Sequence, residues 1–187
     1  MRKILAAINM TLDGVCDHTK GIADDEVHRH YEELIRSGDA ILYGRTTFEL
    51  MKFWQTLVEN PSGDKTMDDF AIAMDNIPKI VFSRTLNDTQ WESATIATRG
   101  LKEEVLDLMQ QPGGTILVGS RSLIIALMNL GLIDEFQLTV HPMIAGEGLS
   151  LFENINDQKT LKLLKTKTFG CGAVTLYYEP AGYSPAT

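Results

Sequence analysis

Only two cysteines, Cys16 and Cys171, occur in 187 residues. Two thiols cannot build the disulfide framework of a small secreted protein, and without a C-x-x-C pair they suggest neither zinc nor thioredoxin chemistry. Both are expected to be reduced. Positive charge is also short, with 17 Lys and Arg against 25 Asp and Glu, for a net charge of −8. A chain this acidic is a poor general binder of nucleic acid or anionic membrane, although a local basic patch can still hold an anion. No apolar run approaches the ~20 residues that span a bilayer, and the N-terminal run Ile4–Ile8 is too short for a signal sequence. A cytoplasmic protein that does not associate with membranes is therefore expected. The G-x-G-x-x-G fingerprint of the Rossmann fold and the phosphate-loop G-x-x-x-x-G-K-[ST] are both missing. So are internal repeats, low-complexity tracts and linkers.

What is present is the composition of an ordinary globular protein, 44% apolar and 22% charged, long enough to bury a core without metal or disulfide. One domain over residues 1–180 with a short tail, 181–187, is the expected organisation. Short continuous apolar runs at Ile4–Ile8, Ala40–Tyr43, Lys79–Phe82, Ala94–Ala97 and Thr115–Val118 read as buried strands. Between them, apolar residues recur at helical spacing. Val27, Tyr31, Leu34 and Ile35 form one helix, capped by Asp24 or Asp25 and stopped by Gly38. Another starts at Thr46 or Thr47 and runs through about Leu57. Further helices are predicted at Met67–Met74, from Leu101 to Met109, and from Leu123 to Leu130 with Ser120 as its cap. Asn9 to Gly21 reads as a loop. The last third is strand-rich, with strands at Glu135–Val140, near Leu151-Phe152, over Thr160–Thr168 and over Ala173–Tyr178. The fold class that follows is α/β, a mostly parallel central sheet covered by helices on both faces, with antiparallel strands at its C-terminal edge.

Three strand ends belong together, because open α/β sheets bind ligands beyond the carboxyl ends of their strands. They are Tyr43-Gly44-Arg45-Thr46-Thr47, Val81-Phe82-Ser83-Arg84-Thr85 and Leu117-Val118-Gly119-Ser120-Arg121-Ser122. Singly, each is explained by turn chemistry and a solvated arginine. Jointly, in an acidic protein, they form a means of collecting the phosphates of a dinucleotide through helix N-termini, hydroxyls and guanidinium groups. His28 and His30 lie on different faces of one helix and are read as solvated residues. With Asp24 as the only neighbour at i, i+4 spacing, they make no metal site.

These motifs, with Asn9-Met10-Thr11-Leu12-Asp13-Gly14 and the late Pro142-Met143-Ile144-Ala145-Gly146-Glu147-Gly148, resemble the dihydrofolate reductase superfamily. Within it, they resemble most the reductase domain at the C-terminus of the riboflavin-pathway deaminase-reductase RibD and its small stand-alone relatives. The resemblance runs from Lys3 to about Tyr178. It implies a three-layer fold built on about eight strands, and NADPH lying across the strand ends. By motif, Arg45, Ser83 and Arg84 would hold the 2′-phosphate, Gly44 and Thr46 the central phosphates, and Gly119, Ser120, Arg121 and Ser122, next to Val118, the pyrophosphate. Ala7 would flank the nicotinamide. Dihydrofolate reductases carry Gly-Gly where this chain has Gly119-Ser120, and lack of their Trp- and Pro-rich segment marks a second departure. Asp13 would sit beside the nicotinamide loop, with an Asp-Gly turn as the plain alternative. Asp24 and Asp25 both stand in about the region where the superfamily holds its substrate with an acidic residue, with helix capping as the alternative for each and Asp25 the one taken as the candidate. Asn9 and Trp54 would line the substrate pocket, Trp54 being equally at home in a core. The implied activity is NADPH-dependent hydride transfer to a C=N or C=O bond of a small heterocycle, pterin-like or 5-amino-6-(5-phosphoribosylamino)uracil-like. A non-catalytic NADPH-binding relative is the alternative, and a homodimer is implied in either case.

Overall fold

The computed structural model describes residues 1–17, 19, 21–22 and 24–182. Eight strands form one sheet: β1 (Ile4–Thr11), β2 (Gly38–Gly44), β3 (Lys79–Phe82), β4 (Ala94–Ile96), β5 (Thr115–Val118), β6 (Glu135–His141), β7 (Leu161–Thr168) and β8 (Val174–Pro180). Their spatial order is β4-β3-β2-β5-β1-β6-β8-β7. The first six strands are parallel, and β8 runs antiparallel to both β6 and β7. Of the expected tail, residues 183–187 lie outside the described residues.

Alternation along the strands creates two cores, because successive side chains point to opposite faces. Ile4, Ala6, Ile8, Leu42, Ile116 and Val118 pack under α4 (Leu101–Gln110) and α5 (Arg121–Asn129). Leu5, Ala7, Ile41, Tyr43, Val81 and Leu117 pack under α1 (Asp25–Ser37), α2 (Arg45–Glu59) and α3 (Lys65–Asn76). Burial on both faces explains why the central strands read as continuous apolar runs. The result is the helix, sheet, helix sandwich expected from the sequence.

Several boundaries shift by a residue or two, and three differences from expectation bear on the site. Asn9, Met10 and Thr11 are not loop but the end of β1, which keeps its register with Thr139, Val140 and His141 of β6. The polar residues there hid a strand that tertiary pairing extends. The segment near Leu151-Phe152 is not a strand; only Ser150 makes an isolated bridge, with Val15. Its glycines Gly146 and Gly148 have φ of +77° and +134°, conformations that interrupt a ladder. Finally, α2 begins at Arg45, one residue before the earlier of the two expected starts.

His30 is buried, contrary to its reading as a solvated residue. Its ring packs against Tyr31, Phe169 and Tyr177, covered by the C-terminal strands. Burial, aided by Lys167 nearby, pushes its pKa down to about 4. Between pH 6.5 and 4 the unfolded chain therefore binds a proton that the folded protein refuses, and stability falls as pH falls through that window. Replacing His30 by Phe should flatten the slope by on the order of 2 kcal/mol across the window. Urea melts at several pH values measure it, and parallel profiles for the two proteins would refute it.

Candidate active site

Of the five helices, α1 and α3 have aspartate caps, Asp24 and Asp64, and α1, α3 and α4 carry acidic residues in the first turn. The exceptions are α2 and α5, which have no side-chain cap and no acid there. Their first turns hold Arg45, Thr46 and Thr47, and Arg121 and Ser122. A helix N-terminus favours negative charge, so these two ends are electrostatically incomplete. They also converge. The Gly44 N–H donates to Ser120 Oγ at 2.8 Å, and a Cβ on Gly44 would come within 3.4 Å of Ser122 Oγ. Glycine leaves this space between the two helix ends unfilled.

Contrary to the expectation from the sequence, the Ser120 side chain does not cap its own helix. Its buried hydroxyl instead accepts from Gly44, cross-linking the two strand ends 76 residues apart. Beside this cradle, the Arg45 guanidinium binds Glu49 and Thr85 Oγ1, which ties α2 to the turn carrying Ser83 and Arg84. Ser83 Oγ accepts from the N–H groups of Thr85 and Leu86 at 3.2 and 3.0 Å, leaving its own proton to donate. Arg84 is exposed and, among the described residues, makes no ion pair. Arg121 is spoken for: Nε donates to the Ser150 carbonyl at 2.7 Å and the guanidinium pairs with Glu153.

The cradle opens onto a cavity of about 420 Å³ between the sheet and helices α1–α3. Ala7, Asn9, Val118, Gly119, Arg121 and Trp54 all line it. Gly44, Arg45, Thr46, Ser83, Arg84, Ser120 and Ser122 stand outside it, on the cradle side. Of the two threonines opening α2, Thr47 faces the cavity and Thr46 is exposed. A Cβ on Gly119 would stand 3.0 Å from the Tyr43 ring, so that glycine sets the width between cradle and cavity. The far wall is aromatic: the Trp54 and Phe70 rings lie 4.4 Å apart, with His28 edge-on to both at about 6 Å.

The two carboxylates singled out for catalysis are not in the cavity. Asp13 accepts from Thr11 Oγ1 and from the Ala145 and Gly146 N–H groups at 3.0 and 2.8 Å. These bonds hold its pKa down to about 2, so at neutral pH it carries no proton to give. It works as a clamp between the β1 end and the loop after β6, together with the Leu12 N–H bound to the Met143 carbonyl and the Cys16 N–H to that of Leu149. Asp25 is exposed in the first turn of α1. Its neighbour Asp24 is the cap, accepting from Glu26 and Val27 N–H through Oδ1, and it is Asp24 that lines the cavity.

Sequence reasoning missed Tyr31 and His141. Tyr31 lines the cavity and donates through its hydroxyl to Thr139 Oγ1 at 3.0 Å, which in turn contacts Thr175 Oγ1 at 2.8 Å. His141 ends β6 beneath the 21–22 segment. A signal was present: Gln137, Thr139 and His141 repeat at period two, a polar stripe in a strand that the topology buries. Cys16, also on the cavity wall, has its thiol pKa pushed up to about 11 by burial and is a poor nucleophile. Both cysteines are free thiols. Among the described residues no cluster of three or more metal-binding side chains occurs, and no helix is long and apolar enough to cross a membrane.

The three-layer fold thus carries an uncapped cradle and a cavity beyond the ends of its parallel strands. A family model described as the RibD C-terminal domain matches residues 2–175, and the chain belongs to that family. It is 34% identical over 182 residues to the uncharacterized protein YyaP of Bacillus subtilis (strain 168), an alignment covering 95% of each chain. Among solved structures, a putative riboflavin biosynthesis protein from Shewanella sp. PV-4 superposes with a TM-score of 0.71 at 17% identity, over 95% of this chain and 98% of that one. The dihydrofolate reductase of Enterococcus faecalis, solved in complex with NADP(H), superposes with a TM-score of 0.63 at 16% identity, over 96% of each.

Proposed function

We propose that the protein is an NADPH-dependent reductase that transfers hydride to a C=N or C=O bond of a small heterocyclic substrate, pterin-like or 5-amino-6-(5-phosphoribosylamino)uracil-like. The observation that carries this reading is the meeting of two helix N-termini without caps or acids at Gly44, Ser120 and Ser122, beside Arg84. Such a site attracts phosphates and has no partner of its own. Bound NADPH supplies the hydride, so the protein's share is binding, orientation and exclusion of water. Helix ends and hydroxyls at Gly44, Thr46, Ser120 and Ser122 take the bridging phosphates. Arg84, with Ser83 and Arg45 behind it, takes the 2′-phosphate. Ala7 leaves room for a flat ring above β1, and Arg121 holds the 150–153 segment against the cavity mouth.

Arg84→Ala tests the assignment. The variant should weaken NADPH about tenfold or more while leaving NADH within about twofold, because only the former carries the charge that the guanidinium meets. Fluorescence titration of both cofactors measures this, and equal losses would contradict the 2′-phosphate role. No response to NADPH at all would remove the whole reading.

A second reading, an NADPH-binding protein without turnover, is favoured by one observation: Asp13 is an ionised clamp and Asp25 lies outside the cavity. Cofactor oxidation in the presence of a pterin or a pyrimidine riboside separates the two. Either protein would act on small molecules in the cytoplasm. Either would pair as a homodimer through β7, the strand at the sheet edge, where Leu163 and Leu164 are exposed. A monomer mass by light scattering would exclude the dimer.

A further inference from the structure

His141 is buried, and its two ring nitrogens meet different partners. Nδ1 lies 3.2 Å from the Ile22 backbone N–H, a group that can only donate, so Nδ1 is the bare nitrogen. Burial lowers the His141 pKa, which keeps the ring neutral. A neutral ring with a bare Nδ1 carries its proton on Nε2, and Nε2 is 3.0 Å from Oδ1 of Asn9. Oδ1 therefore accepts, and the Asn9 amide is fixed with its NH2 on the other side. Among the described residues nothing accepts from that NH2. An amide that would otherwise present either end is thus locked as a donor.

Asn9 lies on the same face of β1 as Ala7, two residues on, and both line the cavity. The opposite wall is the aromatic group of Trp54, Phe70 and His28. Flat aromatic walls favour a planar ring. An anionic ring is disfavoured: the Asp24 carboxylate stands in the lining, and the Arg121 guanidinium is committed to Ser150 and Glu153.

We propose that Asn9, held by His141, is the specificity residue of this cavity, donating from Nδ2 to the carbonyl oxygen of a flat, uncharged heteroaromatic ring. His141 is its positioning residue. This deepens the reductase reading by naming what the cavity selects, and rests on it only in treating that ring as the substrate.

The test is calorimetric titration with two probes of equal size, quinolin-2-one, which presents a carbonyl, and 2-aminoquinoline, which presents an amino group. The wild-type protein should prefer the carbonyl probe by about tenfold, the worth of one satisfied against one opposed hydrogen bond. Asn9→Asp should invert the order, since a carboxylate only accepts. His141→Leu should level the two affinities, and His141→Gln, whose amide N–H still reaches the Asn9 oxygen, should restore the preference. Equal affinities in the wild type, an unchanged order in Asn9→Asp, or no binding of either probe overturns the proposal. The ring ¹⁵N spectrum of wild-type His141 tests it without any variant, because a proton on Nδ1 also overturns it. NADPH is titrated separately. Its failure to bind would remove the reductase reading and leave the probe order standing, whereas a missing probe order beside tight NADPH binding would remove only the Asn9 assignment.

Discussion

Ser122→Asp is expected to lose NADPH by roughly a hundredfold or more, while unfolding no more easily than the wild type. The two effects have one cause with opposite signs. Ser122 is exposed in the first turn of α5, an end with no acid and no side-chain cap. A carboxylate there completes the helix electrostatically and should add about 0.5 kcal/mol of stability. It also stands where a phosphate would, facing Gly44 across a gap of a few ångströms, and setting like charges side by side costs several kcal/mol. Ser122→Asn, similar in size but uncharged, should lose far less. Titration with NADPH alongside thermal melts provides both readouts. A variant that binds NADPH normally would show that the cradle is not a phosphate site, whatever its stability.

The largest expected effect on folding is at Lys79, the most buried cation among the described residues. Its ammonium donates to the Ile77 carbonyl at 2.9 Å, the Asp75 carbonyl at 3.2 Å and Ser93 Oγ at 2.7 Å, and sits 4.0 Å from the Trp91 ring centre. Through these contacts it closes the C-terminal end of α3 onto β3 and the 91–93 turn, while Trp91 Nε1 donates to Asp75 Oδ1 at 2.6 Å. Lys79→Met keeps the volume but strips the Ile77 carbonyl of this partner. The cost should be about 2–3 kcal/mol, which at this chain length is a fall in Tm of roughly 5–10 °C. Burial lowers the Lys79 pKa to about 8. From there up to the unfolded value of 10.5 the unfolded chain binds more protons, so this group makes stability rise with pH in that window. The methionine variant should lack that rise. Melting within a degree of the wild type would mean the buried ammonium is dispensable.

Lys79 also illustrates where the sequence stops being legible. The sequence places Lys79 at the start of a short buried strand, but nothing local says that Ser93 and Trp91 will fold over its ammonium. The same holds for Ser120, whose position predicts a cap, and whose real partner is the Gly44 amide on another strand. By contrast, the strands and helices themselves followed from apolar period and punctuation, since burial on one or both faces writes directly into residue type. The three glycine and arginine strand ends could be read as a group because topology brings parallel strand ends together as a rule. What could not be read were choices decided by distant neighbours. Asp24 rather than Asp25 faces the cavity because of how α1 is rotated on the sheet. Asp13 became a clamp because two amides of a loop 132 residues later happen to reach it. His141 lay in a polar stripe that was visible in β6 but had no motif to mark it.

The strand order has a consequence for how the molecule is made. β1 lies inside the sheet between β5 and β6 and is synthesised well before both, since its partners begin at residues 116 and 135. An emerging chain can form its early helices but cannot close the sheet around β1 until Glu135–His141 has left the ribosome. Contacts so far apart in sequence slow folding and leave apolar strands exposed meanwhile. Dependence on the last third is stronger still at the cavity, where residues of β1 meet His141 and the clamped loop beyond it. N-terminal fragments should therefore be chaperone clients rather than smaller versions of the protein, and the cavity is gained in one late step.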